Sequence, residues 1–324
     1  MPVPAADVCP LLRAQTASPA VATRIAAAAC EEHLFWYRPF IDVDGHLNGS
    51  RVREAENGLL ANGQPAWRRV ADYWRDSSLL GSASMRSGAS DCAYASTDGF
   101  GSPMCRSFVV DVPWSAAFVS YVMRRAQVPG FNGSASHINY VRNAYRSPDT
   151  SAYLIASPVS TRVAAGDLLC YVRVSSRLYG FGGLASLLSA SDDGLNMHCD
   201  IVVAVNSGGD RTAYLIGGNV LDGVTMRLLK LTPGGQFDNL PMRTLGDPQC
   251  APDAPSACNA SRQDWAVLLQ LKSPELLARL PLPPPPPPVG LPSAAPAQPE
   301  CCIHCVVGAG IPRCPAGQGA PLIR

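Results

Sequence analysis

The stretch Val112-Pro113-Trp114-Ser115-Ala116-Ala117-Phe118-Val119-Ser120-Tyr121-Val122-Met123 decides how this chain is read, together with Met197-His198-Cys199-Asp200-Ile201-Val202-Val203-Ala204. The first predicts a helix from Ser115 to Ala126, stopped by Val128-Pro129-Gly130. The second predicts a strand whose alternation sends His198, Asp200 and Val202 to one face and Cys199, Ile201 and Val203 to the other. A side chain at a helix N-terminus meets unpaired amides and the positive end of the helix dipole, which stabilise an anion on a nucleophile or a tetrahedral intermediate. Ser115 has that position, and a hydroxyl gives up its proton so reluctantly that it needs a base. His198 is the expected base. Asn219, in Ile216-Gly217-Gly218-Asn219-Val220, is the leading candidate to orient the imidazole, with Asp200 competing on the face of His198. Trp114 is expected to shape the entrance to the site. His137, in Ser134-Ala135-Ser136-His137, either lines the pocket or sits on a helix surface.

Outward from this core the pattern changes once along the chain. Before residue 158 the apolar spacing is helical: 21–40 up to Pro39, 66–75 with Trp67, Val70, Tyr73 and Trp74, and 134–145 with Ser134 or Ser136 as a cap. Asp42-Val43-Asp44-Gly45 reads as a solvated turn, because the later ligands of a calcium loop are missing. Residues 81–104 are rich in Ser and Gly, and Phe108 to Val112 reads as a short segment ending at Pro113. After residue 158, strands are expected at 167–174, 199–206, 212–216, 224–230 and 266–272, joined by turns such as Ser207-Gly208-Gly209-Asp210. Helices first and strands second predict an α+β fold, with N-terminal helices packed on an antiparallel sheet. The expected organisation is an N-terminal helical region (1–80), an α+β domain (81–275), a proline-rich linker (276–300) and a cysteine-rich tail (301–324).

The linker, with its run Pro283 to Pro288, should adopt polyproline II and hold the tail away from the core. In the tail, Cys302-x-x-Cys305 has zinc-ligand spacing with His304 and Cys314 nearby, but a second ligand knuckle is missing. A disulfide-linked or disordered tail that meets a protein partner is the expectation, with no metal and no cofactor. Twelve cysteines exceed what a cytosolic enzyme of this size carries and point to an oxidising compartment. Cys250 with Cys258 is the best disulfide candidate, and Cys92 with Cys105 and Cys9 with Cys30 are weaker pairs. Cys170 and Cys199, on expected neighbouring strands, are as well read as two buried small hydrophobes. A net charge of +1 and the absence of a Lys/Arg cluster among aromatics give no footprint for nucleic acid. No apolar run reaches the length of a membrane span. Met1 to Val8 does not read as a secretory signal, so export would use another route or a leader not in this chain.

The series Pro113-Trp114-Ser115-Ala116-Ala117-Phe118, then Ala165-Gly166-Asp167-Leu168-Leu169, then His198-Cys199-Asp200-Ile201-Val202-Val203, then Gly218-Asn219, resembles the landmarks of the CHAP and NlpC-type papain-like amidase/peptidase superfamily. The resemblance covers roughly residues 107–231 and is closest to an uncharacterised bacterial domain of unknown function that itself carries Trp-Ser. It implies a papain-like α+β fold and a metal-free hydrolase of cell-wall (peptidoglycan) peptides, in the periplasm or secreted. Two departures stand out. Ser115 replaces the nucleophilic cysteine, which removes thiolate chemistry, and Asp200 replaces a small residue beside the histidine and adds a negative charge there. The implied site is Ser115 as nucleophile, His198 as base and Asn219 as orienter, with Trp114, His137 and Asp200 binding. A noncatalytic wall-binding protein on the same fold, and a secreted antibacterial effector, are the alternatives.

Overall fold

Apolar residues recurring every three to four positions form helices in the first half of the chain, and period-two segments form strands in the second. The computed structural model describes residues 6–56, 58–94, 102–248 and 250–283. Among them the helices are α1 (Cys9–Leu12), α2 (Val21–Phe35), α3 (Ala66–Asp76), α4 (Ser102–Asp111), α5 (Ser115–Arg125), α6 (His137–Arg146), α7 (Gly180–Ala190) and α8 (Pro274–Leu277). The strands are β1 (Phe40–Ile41), β2 (Leu47–Asn48), β3 (Tyr153–Ala156), β4 (Leu168–Val172), β5 (Met197–Val205), β6 (Thr212–Val220), β7 (Gly223–Lys230) and β8 (Asp264–Leu271). Together they make a mixed α+β fold around one eight-stranded sheet, in the order β2-β1-β7-β6-β5-β4-β8-β3. Each neighbouring pair is antiparallel except β1 with β7. Residues 6–80 share this sheet and its core: β1 pairs with β7, and Ile25, Ala29 and Tyr73 are buried in the same cluster as Ile201, Val203 and Ile216.

The alternation along β5 has two consequences. Cys199, Ile201 and Val203 join the core under the helices, while Val202 joins a second apolar cluster on the opposite face with Leu169, Tyr171, Phe237 and Trp265. Helix α5 sits on the first face. Phe118 lies so close to β6 that a Cβ at Gly218 would come within 2.4 Å of its ring, so only glycine allows this approach.

Three elements escape the sequence pattern. Residues 108–111 are the end of α4, where Pro103 stands in the first turn and Cys105, Phe108 and Val109 share the buried face, with the Phe108 ring 5.2 Å from Trp74. Helix α7 begins with the weak helix formers Gly180, Gly182 and Gly183; it is anchored by buried Leu184 and Leu188, and the Asp264 carboxylate accepts from the Tyr179 and Gly180 amides at 2.7 and 2.9 Å. Strand β3 is four residues long and needs β8 to exist. Residues 276–281 lie against the helices, with Leu277 buried and the Gly130 amide donating to the Pro281 carbonyl at 2.9 Å. Most of the proline run and the whole 301–324 tail, with its zinc-like spacing, lie outside the described residues.

Among the described residues there are four disulfides: Cys9–Cys30 between α1 and α2, Cys92–Cys105 beside α4, Cys170–Cys199 between register partners of β4 and β5, and Cys250–Cys258 across a loop. Cys170 and Cys199 are thus bridged, because antiparallel pairing brings two residues of one face directly opposite. Thiol titration of the denatured, unreduced protein should find no more than the four cysteines at 301, 302, 305 and 314, and a fifth would contradict a bridge. Gly218→Ala should cost about 1–3 kcal/mol by forcing α5 off the sheet, lowering Tm by roughly 3–10 °C in a thermal melt. An unchanged Tm would mean that the approach is not tight.

Candidate active site

Ser115 is the first residue of α5, and the first intrahelical bond runs from the Phe118 amide to the Trp114 carbonyl at 2.9 Å. The amides of Ser115, Ala116 and Ala117 therefore have no acceptor one turn back, as at any helix start. Trp114 fixes this end from below. Its indole is fully buried, stacks on Trp36 at 5.9 Å, lies 5.6 Å from Tyr73, and donates Nε1–H to Glu54 Oε2. Trp114 is thus an anchor in the core and does not form the entrance that its place before Ser115 suggests. Asn219 belongs to the same anchor. With its amide assigned from the hydrogen-bond network, it donates to Glu54 Oε2 and accepts from the Trp114 backbone N–H, both at 3.2 Å. It adopts a left-handed φ of 56° beside the irregularity between Gly217 and Val220. Its expected role as imidazole orienter gives way to positioning the α5 start, because its amide group is engaged by Glu54 and Trp114.

The imidazole that meets Ser115 also differs from expectation. Ser115 Oγ lies 2.7 Å from His137 Nε2, and His137 Nδ1 is bonded to the Tyr140 hydroxyl one turn along α6. His137 faces inward and is buried, not on a helix surface. His198 Nε2 is instead 2.8 Å from Asp200 Oδ1, and Asp200 Oδ2 accepts from Arg227 Nε at 3.0 Å. Arg227 also donates to the Ala260 carbonyl and Ser261 Oγ. The two histidine rings are neighbours, 5.3 Å between centroids, so Ser115, His137 and His198 form one contiguous cluster. The alternation that pairs His198 with Asp200 turns both away from the α5 face, which is why His198 does not take the serine. Gly217 makes the pair possible: a Cβ there would meet Asp200 Oδ1 at 2.0 Å and His198 Nε2 at 2.9 Å.

Ser115 and His137 open on a cavity of about 570 Å³, walled on one side by Trp74, Ala83 and Arg86 and on the other by Arg173, Asn196 and Met197. This volume suits a ligand of a few residues. Burial, aided by His198 and Arg173, holds His137 well below the usual imidazole range, with Asp200 pulling the other way. His137 is neutral at pH 7 and able to accept a proton. Burial pushes the Tyr140 phenol well above 10, so it keeps its proton. For Asp200 burial acts upward, but His198 and Arg227 outweigh it and hold the carboxyl down at about 2. Of the residues that sequence reasoning passed over, Tyr140 was visible as the i+3 neighbour of His137, and Arg227 as a cation within the apolar run 224–229. Glu54 gives no local signal. Among the described residues no group of three or more His, Cys, Asp or Glu could hold a metal ion.

Burial lifts the Glu54 carboxyl from 4.5 to about 7, with Asp222 adding and the Trp114 hydrogen bond opposing. Between those values the unfolded chain releases the proton that the fold retains, so stability falls as pH rises from 4.5 to 7 and levels off above. In thermal melts from pH 4 to 8, the Tm of the wild type should fall relative to Glu54→Gln across that window. A constant difference would show that Glu54 does not titrate there.

No helix among the described residues is long and apolar enough to cross a membrane. No curated protein and no solved structure matches this chain. A family model does match, over residues 61–271, which include α3 through β8 and both histidines. The chain therefore belongs to a family described as an uncharacterised protein conserved in bacteria, the domain of unknown function DUF2272.

Proposed function

We propose that this protein is a papain-like hydrolase of peptide amide bonds that uses Ser115 as nucleophile and His137 as general base. The reading rests on one observation above the others: a helix-start serine 2.7 Å from the Nε2 of a buried neutral histidine, at the wall of a cavity. In the productive tautomer His137 Nδ1–H donates to the Tyr140 oxygen, which leaves the Nε2 lone pair to accept the Ser115 proton. Oγ attacks the carbonyl carbon, and the oxyanion meets the amides at the start of α5. His137 then passes the proton to the departing amine, the C–N bond breaks, and an acyl-serine remains. Water, deprotonated by His137, attacks that ester and restores Ser115. Ionised Asp200, behind His198, favours the transient imidazolium through its field.

Cell-wall peptides are the substrate class that the sequence resemblance implies, and a periplasmic or secreted location agrees with the four disulfides. Purified sacculi incubated with the protein should release peptide fragments detectable by mass spectrometry. Ser115→Ala should abolish release, and His137→Ala should slow it about 10²–10⁴-fold. The base works only unprotonated, and its pKa lies below 6.5, so kcat/KM should be flat from pH 6.5 upward with its acid limb below that value. Fragment release that survives in Ser115→Ala would overturn the assignment.

A noncatalytic binding module is the second reading. It is favoured by the phenol on His137 Nδ1, which can donate as well as accept and so does not force the productive tautomer as a carboxylate does. Retention on sacculi without any fragment release would select it.

A further inference from the structure

The charge on the cavity walls narrows what can enter. Arg86 and Arg173 both line the cavity over Ser115, and no Asp or Glu lines it. Both arginines are exposed, and neither has an acidic or hydrogen-bonded side-chain partner among the described residues. That contrasts with Arg69, Arg75, Arg125, Arg146 and Arg227, each of which is ion-paired. A second cavity of about 340 Å³ shares Arg173 as a wall and adds Arg227, Arg243, Asn219 and Gln263, again with no acid. Arg227 there is neutralised by Asp200, whereas Arg243 spends its Nη2 on the Val174 and Arg177 carbonyls and keeps a buried Nε without a partner. In a chain whose formal charge is only +1, two hollows that share Arg173 and carry arginines but no acids in their walls form a local positive field, and low-dielectric walls concentrate it.

We propose that this cleft selects a peptide carrying a free carboxylate, and that Arg86 and Arg173 are the residues that read it. The substrate class rests on the hydrolase reading, but the charge preference does not require turnover. A guanidinium offers paired N–H donors that match a carboxylate. Arg173 lines both hollows and so faces a ligand in either one. Arg173 also depresses the basicity of His137, and a substrate carboxylate paired to it removes that opposition when the base is needed.

The test is calorimetric binding to the full chain carrying Ser115→Ala. Two peptide pairs serve as probes: acetyl-Ala-Ala-Ala with a free C-terminal carboxylate against its amide, and acetyl-Ala-Glu-Ala-amide against the Gln counterpart. In at least one pair the acid should bind ten-fold or more tighter than its neutral match. Arg173→Gln, Arg86→Gln or the double variant should erase that preference with Tm unchanged, and Arg173→Lys should keep part of it. Equal affinity within both pairs, a preference that survives the double variant, or no binding of any probe at millimolar concentration would each overturn the proposal. A carboxylate preference without cleavage of sacculi by the wild type would sink the hydrolase reading and leave the charge selection standing.

Discussion

The contact on which the rest depends is that between α5 and β6, where Phe118 occupies the space that a side chain at position 218 would need. The helix therefore rests directly on the sheet, and this contact sets the place of its first turn against β6. The Glu54 carboxylate then pins Trp114 from the indole side, and Asn219 pins the Trp114 backbone. Ser115 thus stands on a helix start held from two directions.

Two adjacent glycines in β6 divide the labour across the sheet. Gly218 yields to the helix on one face, and Gly217 yields to the His198–Asp200 pair on the other. Consecutive strand residues point oppositely, so a single Gly-Gly step serves both the helix and the buried His198–Asp200 hydrogen bond. The two histidines consequently live in different fields. His198 faces an ionised carboxylate that Arg227 also holds, while His137 faces a hydroxyl on each ring nitrogen. The ring in contact with the serine is that of His137, which burial keeps neutral. The network of Asp200 and Arg227 stands one ring farther back, behind His198.

Much of this was legible in the residues. The spacing around Trp67, Val70, Tyr73 and Trp74, and the run from Ser115 to Arg125, predict helices that are present, and the alternation in 199–205 separates Cys199 from His198 as observed. Helix α7 was hidden because three glycines mask a helix held by Leu184, Leu188 and a cap from Asp264, eighty residues away. Strand β3 was hidden because four residues carry too little period to read.

Local pattern by itself determined that Ser115 begins a helix, that His198 and Asp200 share a strand face, and that the second half of the chain is a sheet; these follow from periods of 3.6 and 2, which belong to the backbone. Only the tertiary structure decided that His137 meets Ser115, that Asn219 and Trp114 anchor the helix start, and that Glu54 joins them. Those pairings depend on how α6, β6 and the loop before α3 dock around α5. Docking is set by which side chains fit together in the packed interior, and no periodicity along the chain records it.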